Sequence, residues 1–81
     1  MVEEKLKQEI EKWSKKIAEK RRHLQLIDET KKEHLINMDA YIADSKHFEK
    51  EGKLIESFEA LIWSWSILEI GEKAGWWVNR A

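Results

Sequence analysis

The sequence predicts an all-α fold, an antiparallel up-down-up three-helix bundle with a long first helix, and three observations lead there. Apolar residues recur at helical spacing along most of the 81 positions, Pro is absent, and two of the three Gly stand where the helical pattern stops. The 42% hydrophobic and 38% charged composition suits one small core, and the length fits a single domain over residues 1–81.

Val2, Leu6, Ile10, Trp13, Ile17, Lys20, Leu24 and Ile27 alternate steps of four and three, a heptad seam interrupted once by Lys20. The first helix is therefore expected over about residues 2–27. Asp28 to Thr30 breaks the seam, and Thr30 with Glu33 fits a capping box opening a second helix over about 31–51. Its apolar arc holds Leu35, Met38, Tyr41, Ile42, Ser45 and Phe48, with His34 inside the arc. Gly52 stops it. The third helix, about 53–74, takes its main face from Leu54, Phe58, Leu61, Trp65 and Leu68, widened by Ile55 and Ile62. Gly75 ends it, Trp76 is expected to fold back on the last turn, and residues 79–81 to fray. Such short connections force antiparallel neighbours. Charge supports the pairing, since residues 1–27 carry a net +3 and residues 28–52 a net −3.

Composition narrows the function. Without Cys there is no disulfide framework, thiolate nucleophile or zinc-thiolate site, and a net charge of −1 gives no global attraction to nucleic acid or anionic lipid. Met1 to Gln8 lacks the apolar stretch of a signal peptide, so a cytoplasmic location is expected. The longest apolar run, Ala60 to Ile70, is broken by Ser64, Ser66 and Glu69 and is too short to span a membrane. No nucleophile elbow or Gly-rich phosphate loop occurs, so no catalytic residue, cofactor or metal centre is assigned and a non-enzyme is expected.

Three groups of residues remain as candidates. Trp63, Ile67 and Ile70, with Ala60 alongside, form a second apolar stripe opposite the main face of the third helix, a candidate protein interface and most simply a homodimer contact. Lys20, His34 and Glu69 interrupt their apolar arcs at one end of the bundle, which predicts a buried polar cluster with the Lys20 ammonium near Glu69. A small-ligand or metal pocket using His34, Glu69 and His23 is the functional alternative there. Asp44 and His47, three apart, fit a solvated pair better than a metal site. Residues 12–22 carry +5 through Lys12, Lys15, Lys16, Lys20, Arg21 and Arg22 against Glu19, spread around the helix rather than gathered on one side.

The stretch from Tyr41 through Asp44 and Phe48 to Gly52, followed by Phe58, Trp63, Trp65, Leu68, Glu69 and Gly71, resembles the archaeal family called domain of unknown function 357. The resemblance covers roughly residues 35–76 and implies a small up-and-down helical bundle with no established activity. Lys53 departs from the pattern, since family members often place Asp after the turn Gly, where it would cap the next helix; Glu56 partly offsets the change. The expected function is a non-enzymatic helical interaction module, homo-oligomeric through the second stripe of the third helix. The alternatives are an accessory nucleic-acid-binding protein using the basic half of the first helix, or an intersubunit metal or ligand site.

Overall fold

The computed structural model describes residues 2–80. Its elements in order are α1 (Val2–Arg22), β1 (Leu24–Leu26), a 3₁₀ turn (Glu29–Lys31), α2 (Lys32–Lys50), α3 (Leu54–Ala74) and β2 (Trp77–Asn79). The expected three-helix, up-down-up order is present. Both α1 and α2 pack on α3, which is most extensively in contact with α2.

The first helix stops at Arg22, five residues before the expected end, because the next segment pairs with the tail. β1 and β2 form an antiparallel ribbon, with Leu24 opposite Asn79, Gln25 opposite Val78 and Leu26 opposite Trp77. Leu24-Gln25-Leu26 alternates inward and outward, a strand period that two seam residues of a heptad mimic over so short a stretch. The ribbon is fastened at both ends. His23 O accepts from Arg80 N at 2.8 Å, and the Trp76 carbonyl accepts from Ile27 N and Asp28 N at 2.8 and 3.1 Å. Asn79 and Arg80, expected to fray, are thus held, whereas residue 81 lies outside the described residues.

The cap between α1 and α2 is also displaced. Asp28, not Thr30, accepts a capping bond, at the start of the 3₁₀ turn, from Thr30 N at 3.0 Å, and its carboxylate takes a second from Thr30 Oγ1 at 2.6 Å, while α2 itself begins without a side-chain cap. These bonds hold the Asp28 carboxyl below its usual value of 3.8. α2 and α3 end as expected, at Gly52 and Gly75, whose φ of +77° and +79° are open to glycine at little cost. After Gly75 the Trp76 N–H returns to the Gly71 carbonyl at 2.8 Å, the 6→1 bond of a Schellman ending, and turns the tail back along α3.

What that tail meets decides the core. The buried residues of α3 are Leu54, Ser57, Ala60, Leu61, Ser64, Leu68 and Gly71. At about 100° per residue this arc is rotated by roughly 60° from the expected Leu54, Phe58, Leu61, Trp65 and Leu68 face, toward the small residues. Ser57, Ser64 and Gly71 recur every seven positions and form its centre. Across from them on α2, Ser45 Oγ donates to the Ser57 carbonyl at 2.9 Å and Ser57 Oγ to the Ser45 carbonyl at 2.8 Å, a reciprocal pair that requires the two backbones to approach closely. Ser64 Oγ satisfies itself on the Leu61 carbonyl at 2.8 Å. The Trp77 ring packs directly against Gly71, and its Nε1 donates to the Leu68 carbonyl at 3.0 Å. Two apolar clusters fill the space on either side. One is Ile10, Ile17, Leu54 and Leu61; the other is Met38, Leu68 and Trp77; Ile42 packs against both. At its outer edge, Arg21 of α1 donates to both Asp39 carboxylate oxygens of α2, at 2.7 and 2.9 Å.

Trp77→Ala should cost about 3–5 kcal/mol in urea unfolding, a large fraction of what a domain this small has. A methyl at Gly71 collides with the Trp77 indole ring. Gly71→Ala is therefore expected to lower stability, because overpacking of about 1–3 kcal/mol exceeds the helix-propensity gain of about 1 kcal/mol. The Asp28 cap has a signature in acid. Its folded value lies below 3.8, so its contribution is complete above that pH and is lost as pH falls through the folded value. The stability difference between wild type and Asp28→Ala, followed by thermal melts, should shrink over that range.

Candidate functional site

Turning the small residues of α3 inward turns its bulky ones outward. Ile55, Ile62, Trp63 and Ile70 are 67%, 47%, 56% and 54% exposed, all within an arc of about 100°, a flank that runs from the α1 side, at Ile62, to the α2 side, at Trp63. Glu59, Ser66 and Lys73 are interleaved among them. Trp63 keeps its place by packing its ring edge-on against Tyr41 of α2, with centroids 5.3 Å apart and planes at 76°.

The four expected interface residues divide. Trp63 and Ile70 are on this flank, Ile67 is half-buried against the Met38, Leu68 and Trp77 cluster, and Ala60 is buried. The last two sit on the side of the stripe that α2 covers once α3 has rotated. Ile55 and Ile62, expected in the core, take their place at the surface. Their spacing of seven, next to Trp63 and Ile70 at the same spacing, is the sequence signal that locates this flank.

An apolar groove lies on each side. Between α1 and α3, Trp13, Phe58, Leu61, Ile62 and Trp65 line an open groove of about 230 Å³, where Trp13 and Trp65 meet edge to face at 5.3 Å. Between α2 and α3, Tyr41, Phe48, Ala60 and Trp63, with the carboxylates of Asp44, Glu56 and Glu59, line another of about 300 Å³.

Lys20, His34 and Glu69 are not brought together. Lys20 Nζ lies 5.1 Å over the Trp65 ring and Lys16 Nζ 4.9 Å over Trp13, so both ammonium groups rest on aromatic faces. His34 stacks on Trp76 at 4.6 Å, and Lys31 covers Trp76 at 5.2 Å. Glu69 lines a shallow surface pocket with Trp65, Ser66, Ile70 and Lys73. Among the described residues no ion pair joins Lys20 to Glu69. The predicted cluster fails because the space at that end is filled by Trp76 and Trp77, which the early end of α1 and the return of the tail place there.

His23 Nε2 lies 3.1 Å from Glu19, and His34 is engaged elsewhere, on Trp76. The His23 bond, with the neighbouring Arg22 charge, holds the Glu19 carboxyl below its ordinary value of 4.5. His47 sits 3.5 Å from Glu51 rather than beside Asp44. Among the described residues no three His, Asp or Glu side chains gather as a metal site would require. Half of the six cations in the basic segment of α1 are in ion pairs: Lys15 with Glu11, Arg21 with Asp39 and Arg22 with Glu19.

With this geometry in place, comparison with known proteins is specific. The profile of a family described as "Protein of unknown function (DUF357)" matches residues 3–77. The chain belongs to that family. The match takes in α1 and most of the ribbon, well beyond the residues whose pattern suggested it. A solved DUF357 structure from Archaeoglobus fulgidus is similar at a TM-score of 0.88 and 33% identity, covering 98% of this chain and 99% of that one. No curated protein matches significantly. Among the described residues no helix is long and apolar enough to cross a membrane.

Because Glu69 has no cationic partner among the described residues, Glu69→Gln should change stability by no more than about 0.5 kcal/mol in chemical denaturation. A loss of several kcal/mol would restore the buried ion pair.

Proposed function

We propose that this DUF357 protein is a non-enzymatic interaction module that pairs with a second copy of itself through the outward flank of α3. The observation that carries the reading is the exposure of Ile55, Ile62, Trp63 and Ile70 together on one helix. At about 200 Å² for a large apolar side chain, those fractions amount to roughly 400–500 Å² of apolar surface per protomer. A standard interface buries about 800 Å² on each side, somewhat over half of it apolar, so a second copy presenting the same flank matches in both size and character. Trp63 belongs to the patch, and Trp is among the residue types that most often dominate binding. The engagement of Lys15, Arg21 and Arg22 within the chain leaves α1 a weaker basic surface than its sequence suggests.

Sedimentation across low to high micromolar protein should show a reversible monomer–dimer equilibrium, and Trp63→Glu with Ile70→Glu should shift it to monomer while circular dichroism and unfolding stay close to wild type. A concentration-independent monomer overturns the reading. A monomer that binds RNA or DNA at low salt and releases it steeply as salt rises overturns it in favour of the basic half of α1.

A further inference from the structure

The arrangement of residues around Ser66 says how two such flanks would meet. On the helical wheel Ser66 lies at the middle of the exposed arc, and its neighbours are disposed symmetrically about it. Ile62 and Ile70 lie four residues before and after it, each about 40° to one side; Glu59 and Lys73 lie seven before and after it, each about 20° to one side. In an antiparallel pair related by a two-fold axis, residues at equal and opposite distances from the axis share a level. Resting on the pairing proposed above, we infer that two copies dock α3 against α3 antiparallel, with the two-fold axis at Ser66 and Glu59 of each copy facing Lys73 of the other.

Three features support this register over its alternatives. The small side chain of Ser66 donates to its own Ile62 carbonyl at 2.9 Å, so the axis carries no bulky group and no unpaired hydroxyl, and the helices can approach to the short end of the usual 8–10 Å. Ile62 of one copy then shares a layer with Ile70 of the other, and Trp63 lies beside that Ile70, so three of the four exposed apolar residues are covered at once. Among the described residues Glu59 and Lys73 form no ion pair within the chain, and this register gives each a partner of opposite charge, twice over by symmetry. A parallel pairing instead sets Glu59 against Glu59 and Lys73 against Lys73, and like charges facing across an interface oppose it.

The chain has no Cys, so a single introduced thiol reports the contact without background. At the interaxial distance of such a pair, two residues on the axis fall within disulfide range. Ser66→Cys should form a covalent dimer in nearly full yield under mild oxidation, whereas Lys46→Cys, on an exposed part of α2, should remain monomeric on denaturing gels. Glu59→Lys and Lys73→Glu should each weaken dimerisation by about 5- to 20-fold, and the double reversal should return it to within about twofold of wild type. A dimer that forms normally, yet neither cross-links in the Ser66→Cys variant nor responds to charge reversal, overturns this register and leaves the self-pairing intact. Absence of any dimer in the wild-type protein overturns both.

Discussion

The close approach of α2 and the tail to the small-residue edge of α3 is the constraint on which the rest depends. Ser57, Ser64 and Gly71 present almost no side-chain volume along one line of the helix. Ser45 can therefore reach the α3 backbone and bond reciprocally with Ser57, and Trp77 can lie directly on Gly71 with its N–H on the Leu68 carbonyl. A large residue at Ser57 would force α2 and α3 apart and leave the Ser45 and Ser57 polar atoms buried without partners, and one at Gly71 would displace the Trp77 ring. Polar satisfaction and tight packing are achieved by the same few residues.

This constraint propagates in two directions. Toward the ends of the chain, seating Trp77 on Gly71 fixes where the tail runs, and the tail supplies the pairing partner that converts Leu24–Leu26 from helix to strand. The first and last helices are thereby tied together beyond their ends, and a small domain without disulfides gains a closed apolar cluster around Trp77, Leu68 and Met38. Toward the surface, a helix that buries its small side must expose its large one. Ile55, Ile62, Trp63 and Ile70 are outside because Ser57, Ser64 and Gly71 are inside.

The number of helices, their order and the Gly endings of α2 and α3 were legible in the sequence because each has a local cause: period, composition and backbone freedom. The seam of α1 was legible to Arg22 and misread beyond it, since Leu24 and Ile27 satisfy a heptad as readily as an alternating strand and nothing nearby in sequence announces a partner more than fifty residues on. The orientation of α3 was the main loss. Its apolar residues lie on nearly every side, so the wheel defines no unique face. The choice of the Leu and Phe side as innermost assumed that volume decides burial, whereas here backbone proximity does. In the Lys20, His34 and Glu69 grouping only Glu69 was read from that orientation; Lys20 and His34 interrupt the patterns of α1 and α2, and they meet Trp65 and Trp76 instead. Of the proposed interface, Trp63 and Ile70 were legible because a second stripe exists whichever way the helix turns, while Ala60 and Ile67 depended on the angle.

Self-pairing, as proposed, follows from the same geometry rather than from any reactive group. Membership of DUF357 and the likeness to the Archaeoglobus fulgidus protein fix the fold. Both the core and the flank turn on which side of α3 is innermost. Nuclear Overhauser contacts in a labelled sample read this directly, independently of any self-association. Cross-peaks from the Trp77 indole protons to the Gly71 α-protons, together with Ser45 to Ser57 contacts, are the predicted result. Indole contacts to Phe58 and Trp65 with none to Gly71 would place the opposite edge inside and contradict it.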